Sequence, residues 1–138
     1  MILVDTGPLV ALFDPQDGQH ARCVRVLKSI REPITTTTPV LTEAFHMLGP
    51  ASIGSNRLRE FIEGGGLSVW FFERTRLTRA FELMERYADH PMDLADASLV
   101  VAAESLATRK VFTLDRRDFA TYQVRRGHRQ QAIEIISG

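Results

Sequence analysis

Asp5, Glu43, Asp96 and Asp115 are the residues whose types and positions could do chemistry together. Asp5 ends the apolar run Met1–Val4, and Asp115 ends Lys110–Leu114. Glu43 falls in the first turns of a helix that follows the extended stretch Ile34–Thr37, and Asp96 opens a helix rich in Ala, Leu and Val. In an open α/β sheet, ligands bind beyond the carboxyl ends of the strands, where these four acids fall. Carboxylates gathered there repel one another and lose hydration, so the arrangement needs a compensating cation. Oxygen ligands alone suit a hard ion, Mg2+ or Mn2+, whereas Cys23, His20, His46, His90 and His128 show no spacing suited to zinc. An ion held in this way activates a water and neutralises phosphate oxygens, which points to phosphoryl chemistry.

Each acid also has a plainer reading. An Asp between a strand and a helix commonly caps the helix, worth ~1 kcal/mol, and Asp93 is assigned that role here. Glu43 has the plain reading of a solvent-facing helical residue. Asp96 is harder to explain in this way, because Leu94, Ala95, Ala97, Leu99 and Val100 around it are apolar. For the fourth position Asp118 competes with Asp115; the strand end favours Asp115 and leaves Asp118 as a turn cap. Other catalytic plans lack their residues. There is no G-x-S-x-G elbow and no G-x-x-x-x-G-K-[ST] phosphate loop, and Gly64–Gly66 precedes a strand instead of opening a helix.

Periodicity supplies the elements that must carry the acids. Apolar or β-branched runs at Met1–Val4, Ile34–Thr37, Leu67–Phe72, Lys110–Leu114 and Ala132–Ile136 read as strands. Between them, helical spacing marks a short helix from Pro8 to Phe13 and longer ones over Asp17–Ile30, from Thr38-Pro39 to Leu48, from Ser55 to Ile62, over Thr75–Ala88 and over Asp93–Ala107. Arg116–Tyr122 reads as a connecting turn, and Trp70, Phe71 and Phe72 read as core or dimer interface. Strands alternating with helices predict a mainly parallel sheet covered on both faces.

The chain has 138 residues, 44% of them hydrophobic and 25% charged, which excludes disorder and suits one domain over residues 1–138. No apolar run nears the ~20 residues that cross a bilayer, and no basic segment precedes the opening apolar stretch, so neither membrane insertion nor export is indicated. A lone cysteine, Cys23, offers no internal disulfide and fits a reducing cytoplasm. Seventeen basic against 17 acidic residues gives a net charge of zero, no sign of broad attraction to nucleic acid.

Asp5-Thr6-Gly7 after the first strand, Pro39-Val40-Leu41-Thr42-Glu43 at a helix start, Met92-Asp93-Leu94-Ala95-Asp96-Ala97 opening an Ala-rich helix, and Thr113-Leu114-Asp115-Arg116-Arg117-Asp118-Phe119 after a late strand resemble the PIN domain. More narrowly, they resemble the VapC-type toxins of prokaryotic toxin–antitoxin pairs. The resemblance runs from Ile2 to about Ile136 and rests on four motifs in order, at compatible spacing. It implies a three-layer α/β/α fold and a Mg2+- or Mn2+-dependent endoribonuclease with Asp5, Glu43, Asp96 and Asp115 as its acids. It also implies a homodimer, and an antitoxin that inhibits by inserting into the active-site groove. On that reading Asp5 and Asp96 are the main metal ligands, Glu43 and Asp115 hold waters or a second ion, and Thr6 and Thr113 add hydroxyl contacts. Two alternatives stand beside it: a nuclease of RNA or DNA processing outside any toxin pair, and a non-catalytic nucleic-acid-binding module.

An RNA substrate must also be gripped. Fifteen of the 17 basic residues are Arg, a side chain suited to bidentate phosphate contact, and Arg109–Arg129 carries seven bases against two acids. Within that stretch Arg116, Arg117, Arg125 and Arg126 are the expected contacts to the RNA backbone. Setting the four proposed metal-bound acids aside leaves a basic excess of four, so the neutral total is a cancellation between an acidic pocket and an arginine-rich margin.

Overall fold

The computed structural model describes residues 1–137. In chain order the elements are β1 (Ile2–Val4), α1 (Thr6–Phe13), α2 (His20–Ser29), β2 (Ile34–Thr37), α3 (Thr38–Leu48), α4 (Ile53–Glu63), β3 (Ser68–Trp70), α5 (Arg74–Arg86), α6 (Leu94–Leu106), β4 (Lys110–Phe112), α7 (Arg116–Thr121), β5 (Gln123–Arg126), β6 (Arg129–Ala132) and β7 (Glu134–Ile136).

Five short strands form one parallel sheet in the order β3-β2-β1-β4-β7. β1 is central, and Ile2, Leu3 and Val4 are all buried, which is why this run is apolar without alternation. From β1 the chain steps outward through β2 to β3, then returns to the other side of β1 for β4 and β7. That reversal leaves a crevice beyond the carboxyl ends of β1 and β4, the usual place for a ligand in such a sheet.

Helices flank the sheet, giving the three-layer α/β/α arrangement. α1 packs on α2, α3 and α4, while α6 lies across β1 and β2 and carries α5. From Ala97 to Ala103 every residue of α6 is buried, so this part of the helix is enclosed on all sides and all of it but Ser98 is apolar. Near its end Glu104 accepts from Arg79 Nε at 2.9 Å, Arg79 Nη2 at 3.0 Å and the Arg125 backbone N–H at 2.8 Å. One carboxylate thus ties α5 and β5 to α6.

Three local features differ from the sequence expectation. Arg116–Tyr122, expected as a turn, contains α7, because Asp115 Oδ1 caps the Asp118 N–H at 3.0 Å and Phe119 turns into the core. Ahead of the last strand, β5 and β6 pair antiparallel in a hairpin whose turn uses Gly127 at φ +61°, and β6 is too polar to form an apolar run in the sequence. The caps of α3 and α4 are Thr37 and Ser52, one and three residues earlier than expected, and Ser55 Oγ instead donates to the Gly49 carbonyl at 2.7 Å. Trp70 and Phe72 are half-buried and meet edge to face at 5.2 Å, whereas Phe71 is exposed. Among the described residues no helix is long and apolar enough to cross a membrane.

Candidate active site

β1 and β4 run side by side with Val4 opposite Phe112, so the residues that follow, Asp5 and Thr113, emerge together. Thr113 Oγ1 donates to Asp5 Oδ2 at 2.8 Å, and the Thr6 backbone N–H donates to Oδ1 at 2.8 Å. Asp5 is therefore held on both oxygens and is 9% exposed. Its neighbour Thr6 donates through Oγ1 to Glu43 Oε1 at 2.8 Å, which brings α3 to the same point. At the start of α6, Asp93 Oδ1 accepts the Asp96 N–H at 2.8 Å and fulfils its expected capping role. Thr37 Oγ1 and Ser98 Oγ, 2.6 Å apart, fix the start of α3 against α6. Thr113 Oγ1 also accepts the Asp115 N–H at 2.9 Å.

As a result Asp5, Glu43, Asp96 and Asp115 all line one cavity of about 630 Å3. Thr6, Gly7, His46, Met47 and Leu114 complete its wall. Burial, reinforced by Glu43 and Asp115 and opposed by the bonds from Thr113 and Thr6, pushes the Asp5 carboxyl up to about 6. Burial, with Asp93 and Asp5 adding to it, pushes Asp96 up to about 7. Among the described residues no ion pair includes Asp5, Glu43 or Asp96. Confined carboxyls without a cationic partner are a site that a cation relieves, and their all-oxygen donor set fits a hard divalent ion. Among the described residues no three acidic, His or Cys side chains already converge on one ligating point, so an ion in this cavity would be reached through waters or after side-chain rotation.

Asp118 faces elsewhere. It lines an adjoining cavity of about 480 Å3 with Asp89, His90, Pro91 and Arg117, and Asp115 borders both cavities. His90 Nε2 lies 2.6 Å from Asp118 Oδ1. Hydrogen bonding with Asp115, then with His90, holds Asp118 below the usual carboxylate range. The structure thus brings Asp115 rather than Asp118 to the other three acids, and the cap in this loop is Asp115 itself.

The four arginines are not gathered together. Arg117 borders the Asp118 cavity, and Arg116 donates to Ser137 Oγ just after β7. Arg125 and Arg126 sit on β5 beside Glu104 and Ala107, near the end of α6 remote from Asp96, a separation of ~16 Å along the helix. Neither borders either carboxylate cavity. Sequence reasoning missed His46 and Met47, three and four residues after Glu43 on the same helical face, and Tyr122, whose hydroxyl donates to Asp96 Oδ2 at 3.1 Å. The i, i+3 pairing of Phe119 with Tyr122 was the available signal for the last. A larger groove of about 860 Å3, lined by Leu12, Phe13, Leu48, Ile53 and Phe61 among others, contains none of the four acids.

The PIN-domain family model matches residues 2–124. The chain belongs to the PIN-domain family. Ribonuclease VapC26 of Mycobacterium tuberculosis is 28% identical over 123 residues, spanning 86% of this chain and 90% of that protein. The crystal structure of Mycobacterium tuberculosis VapC20, a sarcin–ricin loop cleaving toxin, aligns with a TM-score of 0.78 at 18% identity, over 86% of this chain and 92% of its own. A toxin–antitoxin complex from Klebsiella pneumoniae aligns with a TM-score of 0.69 at 17% identity, over 88% and 92%. These structural likenesses establish the PIN fold. The family match ends at Val124, inside β5, so the rest of the hairpin and β7 lie beyond it.

Proposed function

We propose that this chain is a metal-dependent endoribonuclease and the toxin of a VapBC-type toxin–antitoxin pair, with Asp5, Glu43, Asp96 and Asp115 as its catalytic acids. The observation that carries the proposal is one cavity lined by all four acids, with Asp5 and Asp96 confined there without a cationic partner. Family membership and a ribonuclease relative support it.

Asp5 and Asp96 would hold Mg2+ or Mn2+, while the more exposed Glu43 and Asp115 would hold waters or a second ion. When bound, the ion supplies charge neutralisation at the phosphate oxygens and acidifies a water. Glu43, oriented by Thr6 Oγ1, would direct an attacking water toward phosphorus and take up its proton. Thr113 keeps Asp5 and Asp115 in place through one hydroxyl. At the rim Arg117 contacts the scissile region of the RNA, Arg116 lies close behind it, and Arg125 and Arg126 contact the strand farther away.

The antitoxin occupies the apolar groove and reaches the acids along α1 and α3, since Thr6 and Met47 line one cavity while Leu12 and Leu48 line the other. A structural neighbour that is a toxin–antitoxin complex supports such a partner. Exposed Phe71 and Phe81 supply apolar surface for a homodimer in the cytoplasm.

The test is cleavage of single-stranded or looped RNA with added Mg2+ or Mn2+, by the parent and by Asp5→Asn and Asp96→Asn. Activity in the parent, abolished by chelation and by either substitution, is expected. Undiminished cleavage in both variants would overturn the assignment. Growth arrest on expression, relieved by the protein encoded next to it, separates a toxin from a processing nuclease.

A further inference from the structure

Tyr122 is the largest fully buried side chain among the described residues, and a buried phenol needs a partner for its hydroxyl. Its partner here is Asp96, with the hydroxyl 3.1 Å from Oδ2. The ring is fixed on several sides. It meets Tyr87 at 5.2 Å, Phe119 at 5.3 Å and His90 at 6.0 Å, each edge to face. The backbone around it is fixed as well: the Tyr122 N–H donates to the Asp118 carbonyl at 3.2 Å, and the following Gln123 N–H donates to the Tyr87 hydroxyl at 3.0 Å. A phenol hydroxyl beside a carboxylate donates its proton to that oxygen.

We infer that Tyr122 is a positioning residue for the cation site: its hydroxyl engages Oδ2 of Asp96 and leaves Oδ1 available to a cation. This rests on the reading of the carboxylate cavity as a cation site and adds to it a residue outside the four acids. Asp96 stands on the first turn of a rigid helix, but its side chain still has rotamers to choose from, and a donor held by three aromatic rings selects one of them. The same contact couples the site to α7 and to the start of the β5–β6 hairpin, elements that contribute no wall to the cavity beyond Asp115.

Tyr122→Phe deletes the hydroxyl and keeps the ring. Mn2+ binding to the purified full chain, followed by calorimetric titration, reads the effect without any substrate. Loss of an outer hydrogen bond of this kind is expected to raise the Mn2+ dissociation constant roughly tenfold. Tyr87→Phe, which releases the Gln123 N–H but keeps the bond to Asp96, is expected to raise it by a clearly smaller factor. In RNA cleavage, Tyr122→Phe should need more Mg2+ for half-maximal rate and regain the parental rate at saturation. Equal Mn2+ affinity in Tyr122→Phe and the parent overturns the role of Tyr122 while leaving the cation site standing. An equal loss in Tyr87→Phe also overturns it, by assigning the effect to packing. A parent chain that binds no Mn2+ overturns the cation site, and this inference with it.

Discussion

Thr113 at the end of β4 donates its hydroxyl to Asp5 at the end of β1 across 2.8 Å, and the same oxygen accepts the Asp115 N–H at 2.9 Å. One buried threonine therefore orients the first and the fourth acid. It can do so because β1 and β4 are adjacent parallel strands that leave the sheet at the same level.

Thr113→Val keeps the shape and removes both bonds. Loss of the donor leaves Asp5 Oδ2 without its protein partner, so the carboxyl should rise further above its ordinary range. A destabilisation of about 1–2 kcal/mol is expected by chemical denaturation, together with a fall in RNA cleavage of about tenfold. Parental activity in Thr113→Val would show that the hydroxyl is dispensable.

The metal-free protein should lose stability as pH rises. Asp5 titrates near 3.8 unfolded and at about 6 folded, so the folded state binds the proton more tightly. That contribution is complete below the unfolded value and is lost as pH climbs through the folded one; for Asp5 it amounts to about 3 kcal/mol. Asp96, raised to about 7 but less deeply enclosed, adds a smaller amount over a slightly higher window. Thermal melts in chelator should give a lower Tm at pH 8 than at pH 5, and Mn2+ at pH 8 should restore much of the loss. A melt that is flat, or rises, between those values would contradict the burial of the acids.

Asp5→Asn offers the complementary test. It removes the buried charge while preserving an acceptor for the Thr6 N–H. In chelator at pH 8 the variant should be more stable than the parent by about 1–2 kcal/mol, yet inactive on RNA. A variant that is both less stable and fully active would refute the view that Asp5 is kept for function at a cost in stability.

Much of this was legible in the sequence because strand ends and helix starts are marked by residue type. Asp5 after Ile2–Val4 and Asp96 after the Asp93 cap lie where burial patterns and capping place them, and the parallel sheet follows from short apolar runs buried on both faces. Less legible was what depends on tertiary contact. The β5–β6 hairpin is polar on most positions and stands because Glu104 and the aromatic residues beneath it hold it, so no local period announces it. The arginine-rich stretch is continuous in sequence, but α7 and the hairpin carry Arg117 and Arg125 to different parts of the surface.

The Glu104 junction yields a stability prediction of its own. Arg79 and Glu104 are a largely buried pair, with side chains 14% and 8% exposed. Glu104→Gln removes one charge and leaves Arg79 with only the exposed Glu82 at 3.3 Å, at an expected cost of about 2 kcal/mol in chemical denaturation. Amide exchange at Arg125 should rise more than exchange at residues of β1, because the hairpin loses an anchor and β1 does not. Equal exchange at both places would show that the hairpin does not depend on Glu104.

The most direct test of the central claim is the rate of RNA cleavage by the purified chain as Mn2+ is added to chelated protein, compared between the parent and Asp96→Asn. Cleavage should be absent without metal, rise saturably in the parent, and run at least about a hundredfold slower in Asp96→Asn at the same Mn2+. Cleavage that persists in chelator, or a parental rate in Asp96→Asn, would contradict the claim.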